Sequence, residues 1–381
     1  MDFFDRQQEL KALWRLFSKN KNVLMLAPRR IGKTTLLHKL AEESGENGFR
    51  GVVVDVQGYN DEKDFFQQLC SSIQEEIGTG KGLIATFTNR FKQAVHGDEG
   101  IKDWRQLLLH TDWQHFAVEL LTTLNDQEKE KPLLIMVDEV PIFIMALMKK
   151  YDTDRAKSFL YWLRNMQTRF INIRWLYTGS IGLDAVARRD GMEGALVDMD
   201  VYTLPPFSTE TARAFVHELA DKDRCKIENE ALDAILSGLG WLSPYYLDKI
   251  VSDACAKTSA CSSITVAIAK AALDAMLDQS KRTYWSTWRE HLDKNFSEPD
   301  RSRLYTTLET IAEDENGARL DTIMLSLNNG GEPLSKKDLV LLVDTLETDG
   351  YIKSCSDDPE RYCFVMNLLR RWWLRYVICK A

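Results

Sequence analysis

The stretch Val23-Leu-Met-Leu-Ala-Pro-Arg-Arg-Ile-Gly-Lys-Thr-Thr-Leu36 joins an apolar run to a basic, glycine-containing segment. Val23–Leu26 is typical of a buried strand, and the leucines after the basic segment share one face of a helix. Between them, Ala27–Thr34 has the spacing of a P-loop with alanine in place of the first glycine. Strand, loop and helix is the context in which backbone N–H groups wrap phosphates at a helix N-terminus.

The P-loop spacing assigns a role to the side chains at its end. Gly32 permits close approach of the backbone, Lys33 would reach the β- and γ-phosphates of ATP, and the Thr34 hydroxyl would bind Mg²⁺. Thr35 is a weaker candidate for a contact on the metal side, and a basic surface turn is the alternative interpretation. The residues predicted to contact the nucleotide are Ala27, Pro28, Arg29, Arg30, Ile31, Gly32, Lys33, Thr34 and Thr35.

A second motif, Leu133-Leu-Ile-Met-Val-Asp-Glu139, is an apolar strand that ends in two carboxylates. Ligands bind at the C-terminal ends of strands in open α/β sheets. Asp138 would hold the Mg²⁺ shell, and Glu139 would be the general base that polarises the attacking water. A solvated acidic turn is the alternative, but the P-loop upstream favours the catalytic roles.

A third strand, Ile173–Tyr177, is followed by Thr178-Gly-Ser180. Either hydroxyl could bond the γ-phosphate or the lytic water, so Thr178 and Ser180 are candidate catalytic residues, with an ordinary polar turn as the alternative. Arg188 and Arg189 follow on a predicted helix. They are interpreted either as solvated arginines or as an arginine finger acting across a subunit interface.

The apolar runs alternate with helical patterns, which predicts an α/β P-loop NTPase core over residues 1–207, with a parallel five-stranded sheet and flanking helices. Residues 208–280 show short amphipathic helices without strand runs and are predicted to form a helical lid. Residues 281–381 are predicted to form a winged-helix domain of three helices and a hairpin. The predicted strands are Val23–Leu26, Val52–Val56, Leu133–Val137, Ile173–Tyr177 and Val201–Leu204; the predicted C-terminal helices are Arg301–Asp314, Leu320–Asn328 and Ser335–Asp349, followed by hairpin strands Tyr351–Cys355 and Arg361–Val365.

Composition restricts the class of protein further. The 381 residues carry a formal net charge of -8, so no global positive field attracts nucleic acid or anionic lipid. The longest apolar run, Val140–Met148, is too short to span a bilayer. The seven cysteines are scattered without a CxxC pair and indicate reduced thiols in a cytoplasmic protein, although Cys355 and Cys363 flank the predicted hairpin and could approach one another.

These motifs resemble those of the archaeal and prokaryotic AAA-like ATPases, close to the STAND and origin-recognition types. In such proteins the N-terminal segment lies against adenine and the Gly-x-Pro segment of the lid lies near the nucleotide, which would correspond here to Phe4, Arg6 and Pro244. The family commonly ends in a winged helix. The resemblance rests on Phe4-x-Arg6-x-x-Glu9-Leu10, Pro28-Arg-Arg-Ile-Gly-Lys-Thr-Thr-Leu36, Val53-Val-Asp-Val-Gln57, Val137-Asp-Glu139, Thr178-Gly-Ser180, Leu204-Pro-Pro-Phe-Ser208 and Gly240-Trp-Leu-Ser-Pro244-Tyr-Tyr-Leu247.

The favoured hypothesis is a switch that binds ATP and Mg²⁺, hydrolyses ATP slowly, and acts on a protein partner or DNA, with nucleotide-dependent self-assembly. One alternative is a DNA-binding regulator or loader. Another is a non-hydrolysing, nucleotide-bound scaffold. From Phe296 onward the chain has 11 basic and 15 acidic residues, which argues against a strong phosphate-binding face. The basic contacts that DNA binding would use are Lys281, Arg282, Arg289, Arg301 and Arg303.

Overall fold

Five parallel strands form the central sheet in the computed structural model of this chain. The strands are β1 Asn22–Leu26, β2 Arg50–Asp55, β3 Leu133–Asp138, β4 Ile173–Gly179 and β5 Met199–Thr203. Their order across the sheet is β2-β3-β4-β1-β5, and every neighbouring pair is parallel. This confirms the predicted fold class. The structure describes residues 3–76, 81–94, 104–127, 131–258, 263–329, 334–355 and 357–378.

The burial of each strand follows its place in the sheet. All residues of β3 and β4 are buried, as expected for near-continuous apolar runs inside a parallel sheet. The predicted strand Val201–Leu204 corresponds to β5. β5 starts at Met199 and pairs only with β1, so it is an edge strand, and Val201 is 61% exposed.

Helices connect the strands of this sheet. The described residues between β2 and β3 form four helices. Phe65, Phe143 and Phe159 pack with ring centroids 5.4–5.5 Å apart. The helices are α1 Gln7–Ser18, α2 Lys33–Glu43, α3 Glu62–Glu76, α4 Lys81–Ala94, α5 Trp104–His110, α6 Trp113–Gln127, α7 Val140–Lys150, α8 Thr153–Arg169 and α9 Leu183–Arg189.

The chain divides into two compact units. The first unit contains the sheet and consists of the residues up to Ala27 together with Lys33–Leu204. The second unit combines Pro28–Gly32 with the residues from Pro205 onward. In the second unit, two short strands that the sequence did not indicate pair in parallel, with Ile227 opposite Ile264. Two-residue strands are too short to show an alternating pattern. The elements are α10 Thr209–Lys222, β6 Lys226–Ile227, α11 Asn229–Leu239, α12 Pro244–Ala256, β7 Ser263–Ile264, α13 Val266–Ala275 and α14 Thr283–Asn295.

The end of the second unit has the element order helix, strand, helix, helix, strand, strand, helix. The three predicted helices agree with the structure to within one residue at each end. The second hairpin strand begins at Asp358, not at Arg361, and a short strand at Ala318–Arg319 was not anticipated. The elements are α15 Asp300–Glu313, β8 Ala318–Arg319, α16 Leu320–Asn328, α17 Lys336–Thr348, β9 Ile352–Cys355, β10 Asp358–Phe364 and α18 Asn367–Tyr376. Across the parts of the chain that the structure describes, no helix combines the length and apolar character of a membrane span.

A histidine is buried in a polar cluster of the second unit. His291 Nδ1 lies 3.0 Å from the Tyr351 hydroxyl, which itself donates to the Trp288 carbonyl at 2.6 Å. Because the single hydroxyl proton is used there, His291 Nδ1 carries a hydrogen and donates a hydrogen bond to the Tyr351 hydroxyl oxygen. His291 Nε2 lies 3.9 Å from the Asp349 carboxylate. Burial lowers the pKa of His291 well below its ordinary value, and the charge of Arg29 lowers it further.

This histidine predicts a pH-dependent stability. Its pKa is lowered on folding, so below about pH 6.5 the unfolded chain binds a proton that the folded chain does not. The melting temperature should therefore fall as the pH decreases from about 7 to about 5. His291→Asn should reduce this slope, because asparagine keeps a donor near Nδ1 and does not titrate. The matched control is His217→Asn at an exposed position of α10, and an undiminished slope in the His291 variant would contradict the interpretation.

Candidate nucleotide-binding site

Lys33 is buried between two carboxylates in the first unit. It is the first residue of α2, and its Nζ lies 2.6 Å from Asp138 Oδ1 and 2.8 Å from Glu139 Oε1. Asp138 ends β3, and Glu139 follows it at the start of α7. The two predicted motifs, which are about a hundred residues apart in sequence, thus come together at the C-terminal edge of the sheet.

Asp138 also contacts the threonine predicted to bind the metal. The Thr34 hydroxyl donates to Asp138 Oδ2 at 3.2 Å. Burial raises the pKa of Asp138 despite the attraction of Lys33, and the neighbouring charge of Glu139 acts in the same direction as burial. One hydroxyl and one carboxylate are the donors that Mg²⁺ takes when phosphates and water complete its shell. The described residues contain no group of three or more acidic, histidine or cysteine side chains able to hold a metal ion by themselves.

Both oxygens of Glu139 are occupied. Oε1 binds Lys33, and Oε2 accepts hydrogen bonds from the Ser180 backbone N–H and hydroxyl, each at 2.9 Å. Burial alone would raise the pKa of Glu139, but Lys33 and Ser180 outweigh it, so the pKa lies below the ordinary value and the carboxylate stays ionised. Glu139 also has φ 62°, a strained conformation for a residue other than glycine.

A glycine explains how Ser180 approaches Glu139. A Cβ atom on Gly179 would lie 2.5 Å from Pro141 Cδ at the start of α7. No side chain fits in that space, so β4 and α7 pack this closely only with glycine at position 179. Sequence reasoning had no signal for this requirement, because Pro141 becomes a neighbour of Gly179 only in the folded chain.

Thr178 does not join the carboxylate cluster through its hydroxyl. That hydroxyl is buried and donates to the Met25 carbonyl oxygen of β1 at 2.9 Å, which leaves Ser180 as the hydroxyl that contacts Glu139. The two arginines of α9 pair with nearby carboxylates. Arg188 lies 3.7 Å from Asp184, and Arg189 lies 2.9 Å from Asp190.

The N-terminal segment contains a buried arginine. Arg6 is 6% exposed, has φ 72°, and binds Glu9 at 2.7 Å. Phe4 is half-buried two residues before it, and Ala27 is buried immediately after β1. Thr35 is half-buried in the first turn of α2.

Arg29 and Arg30 of the P-loop contact other residues of the second unit. The Arg29 guanidinium donates to the Thr287 carbonyl at 2.7 Å, and the Arg30 carbonyl accepts from the Ser243 hydroxyl at 2.5 Å. A Cβ atom on Gly32 would lie 3.6 Å from Pro244, so this proline lies next to the loop. Ile31 is fully buried. Sequence reasoning marked the segment around Pro244 but gave no signal for Thr287.

A comparison with protein families identifies the family of this chain. Residues 3–249 match the family described as an ATPase domain predominantly from Archaea, and this match covers well over half of the chain. The chain is a member of this ATPase family. The resemblance predicted from the motifs, to archaeal AAA-like P-loop ATPases, is thereby confirmed.

Solved structures with the same fold include two archaeal proteins. This ATPase is similar to a Walker-type ATPase of Pyrococcus abyssi, with a TM-score of 0.67 and 17% identity over 97% of this chain and 95% of that one. It is also similar to the ORC2 protein of Aeropyrum pernix in ADPNP-ADP complexes, with a TM-score of 0.58 and 14% identity over 100% and 95% of the two chains. At these identities the likeness shows the fold. A search of curated protein sequences found no match to this ATPase.

Proposed function

We propose that this protein is a Mg²⁺-dependent ATPase that works as a molecular switch, in which slow hydrolysis resets a state produced by ATP binding. The observation that carries the proposal is the convergence of Lys33, Thr34, Asp138, Glu139 and Ser180 at one edge of the sheet. These are the residue types that phosphoryl transfer requires for charge stabilisation, metal binding and orientation of water.

Each residue of this cluster has a distinct task in the proposed reaction. Lys33 binds the β- and γ-phosphate oxygens, while Thr34 and Asp138 would hold Mg²⁺, which when bound neutralises phosphate charge. Glu139 accepts the proton of the water that attacks the γ-phosphorus, and the bond to the ADP oxygen breaks. The Ser180 hydroxyl holds Glu139 in place and is available to the γ-phosphate.

The contacts of Glu139 also support slow turnover. Its Oε1 is paired with Lys33 and its Oε2 accepts two hydrogen bonds from Ser180, so these partners compete with water for the carboxylate in this arrangement. Phosphate oxygens that compete for Lys33 would release Glu139 Oε1. ATP itself therefore converts Glu139 from a partner of Lys33 into a general base, and the cost of breaking the ion pair limits the rate.

We infer that the output of the switch is contact with a protein more than with duplex DNA. Four of the five basic residues that DNA binding would use are already paired with carboxylates of the same unit. Such pairs leave little free positive charge for phosphates. The pairs are Lys281 with Asp253, Arg289 with Asp293, Arg301 with Glu298 and Arg303 with Asp300.

We also propose that the chain has three domains. They are an ATPase core over residues 1–207, a helical lid over 208–280, and a winged-helix domain over 281–381. The break at Leu204 and Pro205 supports the first boundary. The order helix, strand, helix, helix, strand, strand over α15 to β10 supports the winged-helix interpretation. Nucleotide contacts by Phe4 and Arg6, and a cytoplasmic location, belong to the same proposal.

The test is the solution molar mass of Glu139→Gln protein with ATP, with ADP and with neither. This substitution should trap ATP, so a switch that assembles should give a larger species with ATP alone. Arg188→Ala or Arg189→Ala should then slow hydrolysis at protein concentrations where assembly occurs, if either acts as an arginine finger in a neighbouring subunit.

If the molar mass equals that of the monomer with ATP, with ADP and without nucleotide, the result would contradict self-assembly. The control variant is Asp126→Asn. Asp126 is exposed and lies outside the site, so this variant should behave like the natural protein. Binding of ATP without any turnover in the natural protein would instead favour the nucleotide-bound scaffold.

A further inference from the structure

Arg30 is held in a conformation that arginine disfavours. Its φ is 65°, and Gly32 has φ 91°, whereas Ile31 between them is not in the positive region. Such alternation turns successive backbone N–H groups toward one point and makes a concave anion-binding nest. Glycine takes a positive φ freely, but another residue is strained in the left-handed region. Something must therefore stabilise Arg30 in this conformation.

A serine of the second unit binds the backbone of Arg30 directly. The Ser243 hydroxyl donates to the Arg30 carbonyl oxygen at 2.5 Å, and Ser243 is fully buried. Ser243 is the N-cap residue of α12, where a serine normally accepts a hydrogen bond from an amide of the first turn. Here its side chain makes no such capping bond. The hydroxyl is committed to the P-loop and not to its own helix.

The Arg30 side chain is held by two further residues of the same unit. Its guanidinium carbon lies 4.2 Å from the centre of the Tyr245 ring, and Nη2 lies 3.4 Å from the Thr287 hydroxyl. The adjacent Arg29 donates to the Thr287 carbonyl. The cation–π contact and the hydrogen bonds of these charged donors stabilise Arg30 against the strain of its backbone.

We propose that Ser243 is a positioning residue for the nucleotide, assisted by Tyr245: it holds Arg30 in the left-handed conformation that shapes the phosphate-binding nest. The inference rests on the proposed binding of ATP by this loop. It assigns the N-terminus of α12 a role in nucleotide affinity that needs no contact between Ser243 and the nucleotide.

The experiment measures the Kd of a fluorescent ATP analogue for four full-length proteins: the natural chain, Ser243→Ala, Arg30→Gly and the double variant. Ser243→Ala should weaken binding about five- to thirtyfold, the equivalent of the left-handed penalty. A glycine at position 30 needs no support to take positive φ, so adding Ser243→Ala to Arg30→Gly should change the Kd by less than about twofold.

The double variant separates positioning from general damage, because a merely structural Ser243 would weaken binding equally in both backgrounds. The inference would be overturned if Ser243→Ala weakened binding equally in the natural chain and in Arg30→Gly. It would also be overturned if Ser243→Ala did not weaken binding in the natural chain. If Ser243→Ala fails to fold, Tyr245→Leu and Tyr245→Phe replace it: only leucine should weaken binding, since phenylalanine keeps the ring face. Equal binding by both variants would also overturn it.

Two controls complete the design. Ser237→Ala removes a hydroxyl that donates within α11, to the Asp233 carbonyl, and should leave the Kd unchanged. A natural chain that binds no ATP analogue would refute the proposed function itself. A natural chain that binds, with Ser243→Ala binding equally well, would refute only the role of Ser243.

Discussion

Replacing Glu139 by glutamine should lower the rate of ATP hydrolysis by about 10²–10⁴-fold while ATP remains bound. Glutamine has the shape of glutamate and keeps one oxygen that can accept from Ser180 or Lys33, but it cannot accept a proton from water. The effect should therefore appear in kcat and not in the Kd for ATP. Phosphate release under steady-state conditions gives the first quantity, and titration with a fluorescent ATP analogue gives the second.

The surroundings of Glu139 determine how this result is interpreted. The carboxylate is ionised because Lys33 and Ser180 lower its pKa against the effect of burial, so a general base is available throughout the neutral range. Asp126→Asn removes an exposed carboxylate and should change neither kcat nor Kd. Hydrolysis by the Glu139→Gln protein within about twofold of the natural rate would show that another group takes the proton.

The cluster at the sheet edge was largely predictable from the sequence because its parts are local signals. A P-loop spacing between a strand and a helix, and an apolar strand ending in two carboxylates, each require only neighbouring residues. Parallel strand order then brings Lys33, Thr34, Asp138 and Glu139 together. Ser180 was one of two candidate hydroxyls, and the structure distinguishes them, because the Thr178 hydroxyl bonds the Met25 carbonyl.

The parts that escaped prediction depend on tertiary contacts. Ser243 and Arg30 are 213 residues apart, and Thr287 and Arg29 are 258 residues apart, so no periodicity or spacing relates them. The edge position of β5 was missed for a similar reason, since a single run of apolar residues does not reveal how many neighbours a strand has. Propensity and pattern determine elements, whereas side-chain contacts between distant elements depend on the packed chain.

Replacing Lys33 by methionine should abolish measurable ATP binding and also destabilise the protein without nucleotide. Methionine has a similar length but leaves Asp138 and Glu139 buried together without their shared cation. Removing one partner of a buried ion pair typically destabilises a protein by about 3–5 kcal/mol. Urea unfolding of the full-length protein, followed by circular dichroism, measures the loss, and titration with a fluorescent ATP analogue measures binding.

The pH dependence of this variant distinguishes lost charge from lost packing. Without Lys33, burial and mutual repulsion should raise the pKa values of both carboxyls above their values of about 4 in the unfolded chain. The folded variant then binds more protons than the unfolded chain, so its stability should increase as the pH falls from about 8 to about 5. The deficit relative to the natural protein should therefore be largest at high pH.

Adding Asp138→Asn and Glu139→Gln to Lys33→Met should restore most of the stability but no ATP binding. A deficit independent of pH would attribute the loss to packing, and natural affinity for ATP in the Lys33→Met protein would refute the role of this lysine as the phosphate-binding cation.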